Sequence, residues 1–265
     1  MQNRPEVYSL FSGSGGNCTL VKSEDCSVLI DAGKSGRALC DALKSVGSGI
    51  DEIDGIFITH EHSDHVSALG VLCRGRDIPV YMNRLSYESW QFEGKTDLNT
   101  VIFDGSLSER IKGFLIETVT VPHDSAYCVG YRITDSRSGC KIGVSTDIGN
   151  ITPEIFSFFS ECSGAVIESN HSVQMVKNGP YPQLLKERIL SDGGHLSNED
   201  SAEFIRHLCD AGTQEFILAH LSENNNTPGE ALSNLRRQLG EKRSERIKVC
   251  AAEQNGIRRL GENDF

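Results

Sequence analysis

No apolar run in this chain approaches the roughly 18 residues that a membrane-spanning helix needs, so no membrane association is expected. The opening residues, Met1 through Glu6, are polar and lack the apolar core of a secretory leader, which makes the cytoplasm the expected location. The nine cysteines never fall as C-x-x-C. A cysteine-based zinc site is therefore not expected, and reduced, mostly buried thiols are. Positive charge is also short: 26 Lys and Arg face 37 Asp and Glu, for a net charge of −11. That balance excludes a protein that coats nucleic acid through bulk charge. It leaves room for a nuclease whose local positive field comes from bound cations. Long linkers, low-complexity tracts and solenoid repeats are missing too, so the 265 residues are expected to form a single domain over 1–265.

What the chain does contain is a recurring pattern. A short apolar run, rich in β-branched residues, stops at an acid or a histidine. Residues 27–30 end at Asp31, residues 53–59 at His60, residues 114–121 near His123, residues 141–146 at Asp147 and residues 215–219 at His220. Each run has the length and composition of a strand. Helices are predicted over residues 35–46, over 64–73 behind the histidines, and over 198–211 with an Asn at its cap position. Strands alternating with helices imply a layered α/β fold. Five strands that deliver polar side chains from their C-terminal ends place a site along one edge of the sheets.

The densest part of that pattern is His60-Glu61-His62-Ser63-Asp64-His65. His60 and His62 lie two apart just past a strand, where a turn can aim both at one ion. Asp64 and His65 follow at the start of a helix, where side chains diverge toward a neighbouring position. Imidazole and carboxylate together suit zinc, manganese or iron. His123, Asp147 and His220 complete the candidate donors, and the carboxylate of Asp147 has two oxygens with which to bridge two ions.

The order Asp31, H-x-H-x-D-H, His123, Asp147, His220 resembles the five motifs of the metallo-β-lactamase superfamily over nearly the whole chain. The resemblance implies an αββα four-layer sandwich with two divalent metal ions. In that scheme His60, His62 and His123 hold the first ion, Asp64, His65 and His220 the second, Asp147 bridges them, and Asp31 supports the cluster through hydrogen bonds. Histidine at the second position of the cluster departs from flavodiiron-type oxygen reductases, which usually carry glutamate there. Zinc β-lactamases often use cysteine as a second-site ligand, where this chain has Asp147.

Further stretches point to phosphodiester chemistry. Gly194-His195-Leu196-Ser197 resembles the histidine-serine loop of tRNA-processing metallohydrolases. Together with residues 11–17, 178–182 and 219–225, it makes the chain similar to the YycJ/WalJ-type subfamily, which is associated with 5′→3′ exonuclease activity on DNA. Only 72 residues separate Asp147 from His220, too few for the large domain that some RNA-processing relatives insert there.

The expected partner is accordingly a nucleic acid, DNA in preference to RNA. The expected reaction is attack on phosphorus by a hydroxide that a dinuclear metal centre activates. Asp64 and His195 are the candidate catalytic residues, with His195 giving a proton to the leaving oxygen or bonding the phosphate. Ser14 and His171 are candidate substrate contacts, and Lys177, Lys186 and Arg188 are candidates to track a phosphate backbone. The turn around Ser14 lacks the G-x-x-x-x-G-K-[ST] phosphate-loop pattern and reads equally as a plain hairpin turn. His207, inside the helix over 198–211, is expected to be structural or exposed. Two alternatives stand beside this reading: a small-molecule hydrolase of the same fold, such as a thioesterase or cyclic phosphodiesterase, and a non-catalytic regulatory module. The complete donor set argues against the module. Oligomeric state is open.

Overall fold

A computed structural model describes residues 4–90 and 98–265; Met1, Gln2 and Asn3 of the polar N-terminal stretch lie outside them. The first part of the chain lays down β1 (Glu6–Phe11), β2 (Cys18–Lys22), β3 (Ser27–Ile30), β4 (Gly55–Phe57), β5 (Val80–Asn83) and β6 (Thr100–Phe103). Between them run α1 (Gly36–Ser45), α2 (Ser63–Val66), α3 (Leu69–Leu72) and α4 (Arg84–Ser89). The second part lays down β7 (Ser108–Ile111), β8 (Phe114–Val121), β9 (Cys128–Asp135), β10 (Lys141–Ser145), β11 (Gly164–Glu168), β12 (Glu215–Ala219), β13 (Lys248–Ala251) and β14 (Arg258–Arg259). Its helices are α5 (Pro153–Phe159), α6 (Val173–Asn178), α7 (Gln183–Ile189), α8 (Asn198–Ala211), α9 (Pro228–Leu239) and α10 (Glu241–Ser244).

Among the described residues the strands form two seven-stranded sheets, ordered β14-β1-β2-β3-β4-β5-β6 and β13-β12-β11-β10-β9-β8-β7. In each sheet an antiparallel part gives way to a parallel part, at the β3–β4 pair in the first and the β10–β11 pair in the second. Three separate apolar cores fill the gaps between layers, and together they define the αββα sandwich. Val28, Ile30, Phe57, Tyr131, Ile142, Val166 and Ile217 lie between the sheets. Leu29, Ile56 and Leu39 lie between the first sheet and its helices, and Ala165, Ile167, Phe216 and Leu218 between the second sheet and its helices. Successive residues of one strand thus serve different cores. With both faces covered, β3, β11 and β12 carry continuous apolar runs, over 28–30, 164–167 and 216–219, rather than alternating ones. Each fully buried aliphatic or Phe side chain contributes about 1.5–3 kcal/mol.

Three predicted boundaries shift. The run over 53–59 is a strand only at Gly55–Phe57, because a 3₁₀ turn occupies Ile50–Glu52 and the Thr59 N–H leaves the ladder for Asp31 Oδ1 at 2.8 Å. The single helix over 64–73 is two short turns, α2 and α3. They part where the Ala68 N–H turns to the Ala32 carbonyl and Ser67 Oγ to the Gly33 carbonyl. Helix α8 is capped by Ser197, whose Oγ accepts from the Asp200 N–H at 3.1 Å, so Asn198 is its first residue and not its cap. The thiols follow expectation: seven of the nine are buried. No helix among the described residues is long and apolar enough to cross a membrane.

Two links across the inter-sheet core position the site. Tyr131, fully buried in β9, donates its hydroxyl to the Ile58 carbonyl at 2.6 Å, and the Val129 N–H reaches the Thr59 carbonyl at 3.1 Å. The end of β4, which carries His60, is thereby fixed to the sheet that carries His123, Asp147 and His220.

Candidate metal centre

Asp31, Asp147 and His220 each stand just past the end of a strand and each adopts a left-handed backbone, with φ of 64°, 57° and 55°. Non-glycine residues rarely take this conformation, and it tends to persist where surrounding structure imposes it, often at functional sites. At His220 the imposing contacts are visible. Its N–H donates to Ser12 Oγ at 2.7 Å, and its carbonyl accepts from Asn170 Nδ2 at 2.8 Å.

All seven predicted donors converge. One ring nitrogen each from His60, His62 and His123 forms one group, and Asp64, His65 and His220 form another; within each group the donor atoms lie within 4.8 Å of one another. Asp147 joins His60 and His65 in a third such group. Its Oδ1 stands 3.8 Å from His123 Nε2 and 3.5 Å from His220 Nδ1, and its Oδ2 stands 3.2 Å from His65 Nε2. Asp147 thus lies between the two histidine groups. Asp31 takes the supporting place expected of it. Its Oδ2 is 2.8 Å from His65 Nδ1, which turns the opposite nitrogen of that ring toward Asp64 and Asp147. Similarly, the Gly194 carbonyl lies 3.0 Å from His123 Nδ1 and orients that ring.

The charge pattern fits a cation. The buried Asp31, Asp147 and Glu168 and the half-buried Asp64 crowd the same space. Burial works against the charged forms of Asp64 and Asp147. Neighbouring imidazoles prevail, chiefly His220 and His65, and hold both carboxyls well below the usual range. His220 and His65 respond in the opposite direction. Burial would lower them, but the nearby carboxylates, Asp147 first for His220 and Asp31 first for His65, push His220 up to about 10 and His65 well above 6.5. His60 and His123 are lowered, mainly by burial, and so stay neutral. Protons thus balance the carboxylates where the second group of donors sits, and divalent ions would displace those protons. Asp147 Oδ2 and His220 Nε2 are buried with no hydrogen-bond partner among the described residues, which suits donors aimed at an ion.

Glu168, fully buried at the end of β11, was not among the predicted residues. Its Oε1 is 2.7 Å from His220 Nδ1 and 3.0 Å from His195 Nδ1, and its Oε2 accepts the N–H groups of Ile148 and Leu196. Glu168 with His195, Asp147 and His220 also makes a fourth group of converging donor atoms. The signal for it was present, since an acid again ends an apolar run. Asn17 was missed as well. Its Nδ2 donates to Asp64 Oδ2 at 3.3 Å and lies 3.1 Å from His65 Nε2. In this turn it is Asn17 and Ser12 that meet the cluster, whereas Ser14 is exposed. His171 is buried, outside all four groups. Of the basic residues, Arg188 is ion-paired with Asp124, while Lys186 Nζ donates to the Lys177 carbonyl at 2.8 Å, a neutral acceptor that leaves its charge in place. His207 is 43% exposed on α8.

Two layered sheets with this donor set at one edge define a metallohydrolase of the β-lactamase type. The family model described as the metallo-beta-lactamase superfamily matches residues 12–134, and the chain belongs to that superfamily. Within it, the chain is 35% identical over 236 residues to Exodeoxyribonuclease YycJ of Bacillus anthracis, covering 88% of each chain. It is 34% identical over 240 residues to Exodeoxyribonuclease WalJ of Streptococcus pneumoniae, again covering 88% of each. Among solved structures, the metallo-beta-lactamase fold protein YhfI of Bacillus subtilis matches with a TM-score of 0.70 at 18% identity, covering 97% of this chain and all of that one. The short form of human tRNase Z matches with a TM-score of 0.67 at 18% identity, covering 96% and 98%. These two likenesses concern the fold.

Proposed function

We propose that this chain is a metal-dependent phosphodiesterase that removes nucleotides from the 5′ end of DNA, acting in the cytoplasm with two divalent ions. His60, His62 and His123 would hold one ion, Asp64, His65 and His220 the other, with Asp147 between them. Zinc, manganese and iron all suit these donors. Such ions supply Lewis acidity toward phosphoryl oxygens and acidify water to a nucleophile near neutral pH.

The observation that carries the reading is the place of His195. Its ring is a fifth exposed, and its Nδ1 is held by Glu168 at 3.0 Å and stands 3.6 Å from Asp147 Oδ1. Burial would lower its pKa, but the Glu168 charge raises it, so the ring keeps a proton to higher pH than a free imidazole. A protonated imidazole at the edge of a metal cluster is suited to give its proton to the leaving oxygen of a phosphodiester. We assign that oxygen to the 3′ position of the terminal nucleotide, so the P–O3′ bond breaks and the shortened strand keeps a 5′ phosphate. DNA is preferred as substrate on the names of the two curated relatives. Asp31 positions His65, and Glu168 positions His195.

End-labelled single- and double-stranded DNA incubated with metal-loaded protein tests this, beside an Asp64→Ala variant prepared identically. Stepwise loss from the 5′ end, absent in the variant, is the expected result. Intact DNA with metal confirmed bound would overturn the DNA reading in favour of a small ester or phosphodiester.

A further inference from the structure

Beside the metal centre lies a cavity of about 830 Å³, within the range of pockets that hold small organic ligands. His195 lines one side of it and His171 another. His171 is 1% exposed, yet neither of its ring nitrogens has a hydrogen-bond partner among the described residues. Unpartnered polar atoms at this depth are costly, and each asks for an explanation. Burial lowers the His171 pKa to about 4, so the ring is neutral near pH 7 and offers one donor and one acceptor.

The rest of the lining selects the ligand. Ile151, Phe156, Leu196 and Phe204 supply apolar wall. Phe156 is only partly buried, and its ring meets that of His207 edge-to-face at 5.7 Å. Asp192, Asp200 and Glu203 share the lining with a single lysine, Lys177, an acidic balance that disfavours a phosphate. A flat, neutral, polar-edged ring fits all of this: it can stack on a phenyl face while its edge exchanges hydrogen bonds with a neutral imidazole.

We propose that this cavity receives the base of the terminal nucleotide, with His171 bonding its edge and Phe156 supplying a stacking face. The inference rests on the exonuclease reading above and extends it. A proton donor must touch the leaving group, and in that reading the leaving group is the 3′ oxygen of the terminal nucleotide. The departing nucleoside therefore lies on the His195 side of the cluster, where the cavity opens.

Calorimetric titration of zinc-loaded protein with thymidine 3′-monophosphate and with 1,2-dideoxyribose 3-phosphate, the same molecule without its base, tests the site directly. The nucleotide is expected to bind about 10-fold more tightly or better, the scale of one stacked base. His171→Ala and Phe156→Ala should each shrink that preference and leave the affinity for the base-free analogue unchanged. Phe156 is partly exposed, so its variant serves if the buried His171 change unfolds the protein. Equal affinities in the unaltered protein, no binding of either probe, or a preference that survives both substitutions would overturn the proposal. Failure of the exonuclease reading is separable. Intact DNA alongside a preserved base preference would remove the nuclease and keep the base site, while digested DNA without that preference would do the reverse.

Discussion

The carboxylate of Glu168 holds the imidazole of His195, with Oε1 3.0 Å from Nδ1. The arrangement repeats the logic of an acid that fixes a catalytic histidine's tautomer and favours its charged form. Glu168→Gln keeps the shape and removes the charge. The charge raises the His195 pKa, so the variant's pKa should fall. A general acid works only while protonated, and the alkaline limb of the rate profile should therefore move to lower pH, with turnover down roughly 10–100-fold. An unmoved limb in kcat/KM against pH, with metal content matched, would sink this role.

His195→Ala should separate proton donor from ligand. The expected result is unchanged metal content by elemental analysis and turnover reduced roughly 10²–10⁴-fold. Loss of an ion instead would make His195 a fourth donor beside Asp147, Glu168 and His220, a grouping the geometry permits.

The metal-free protein should lose stability as pH rises. His220 is pushed from 6.5 up to about 10, and a raised pKa favours the protonated fold. The stabilisation is complete below about 6.5 and disappears as pH climbs toward about 10. Thermal melts across that window should show Tm falling in metal-free protein and far less in the loaded form. At neutral pH, zinc uptake should release protons, read by calorimetry in two buffers of different ionisation enthalpy. Uptake without proton release would mean the ions do not displace the protons of His65 and His220.

Gly33 lies so close to Asp64 that a Cβ on it would stand 1.4 Å from the Asp64 carbonyl oxygen. That carbonyl also accepts the Asn17 N–H at 2.8 Å, so it cannot yield without moving the Ser12–Asn17 turn. Gly33→Ala should cost roughly 1–3 kcal/mol of stability and weaken metal uptake through Asp64. Gly229→Ala, at an exposed position in the first turn of α9 with none of the described residues within 4 Å of its Cβ, should leave both nearly unchanged. Chemical denaturation and metal titration of the two variants would check the contrast.

Much of the centre could be read from the chain because its donors obey a local rule. A parallel or mixed sheet presents its strand ends along one edge, and an apolar run that stops at His60, Asp147 or His220 announces such an end. Glu168 obeys the same rule, but its partners His195 and His220 lie 27 and 52 positions away, so its place in the centre depends on tertiary contacts. Asn17 and Ser12 had no such signal, since a turn of small polar residues looks alike whether it faces solvent or a buried ring. Helices α1 and α8 were legible from apolar periodicity. The break between α2 and α3 was not, because it depends on Ala32 and Gly33, carbonyl acceptors from a strand end more than thirty positions away.

By itself the sequence determined the layered class, the strands that end at candidate donors, and the donor types, because apolar patterning and ligand chemistry are properties of single segments. Tertiary structure decided which atoms meet. Glu168 joins His195 to His220, and Asp147 stands between two histidine groups. His171, by contrast, is withheld from the cluster and faces a cavity. Those outcomes depend on how two sheets are set against each other by contacts such as Tyr131 to Ile58, seventy-three positions apart, which no local pattern encodes.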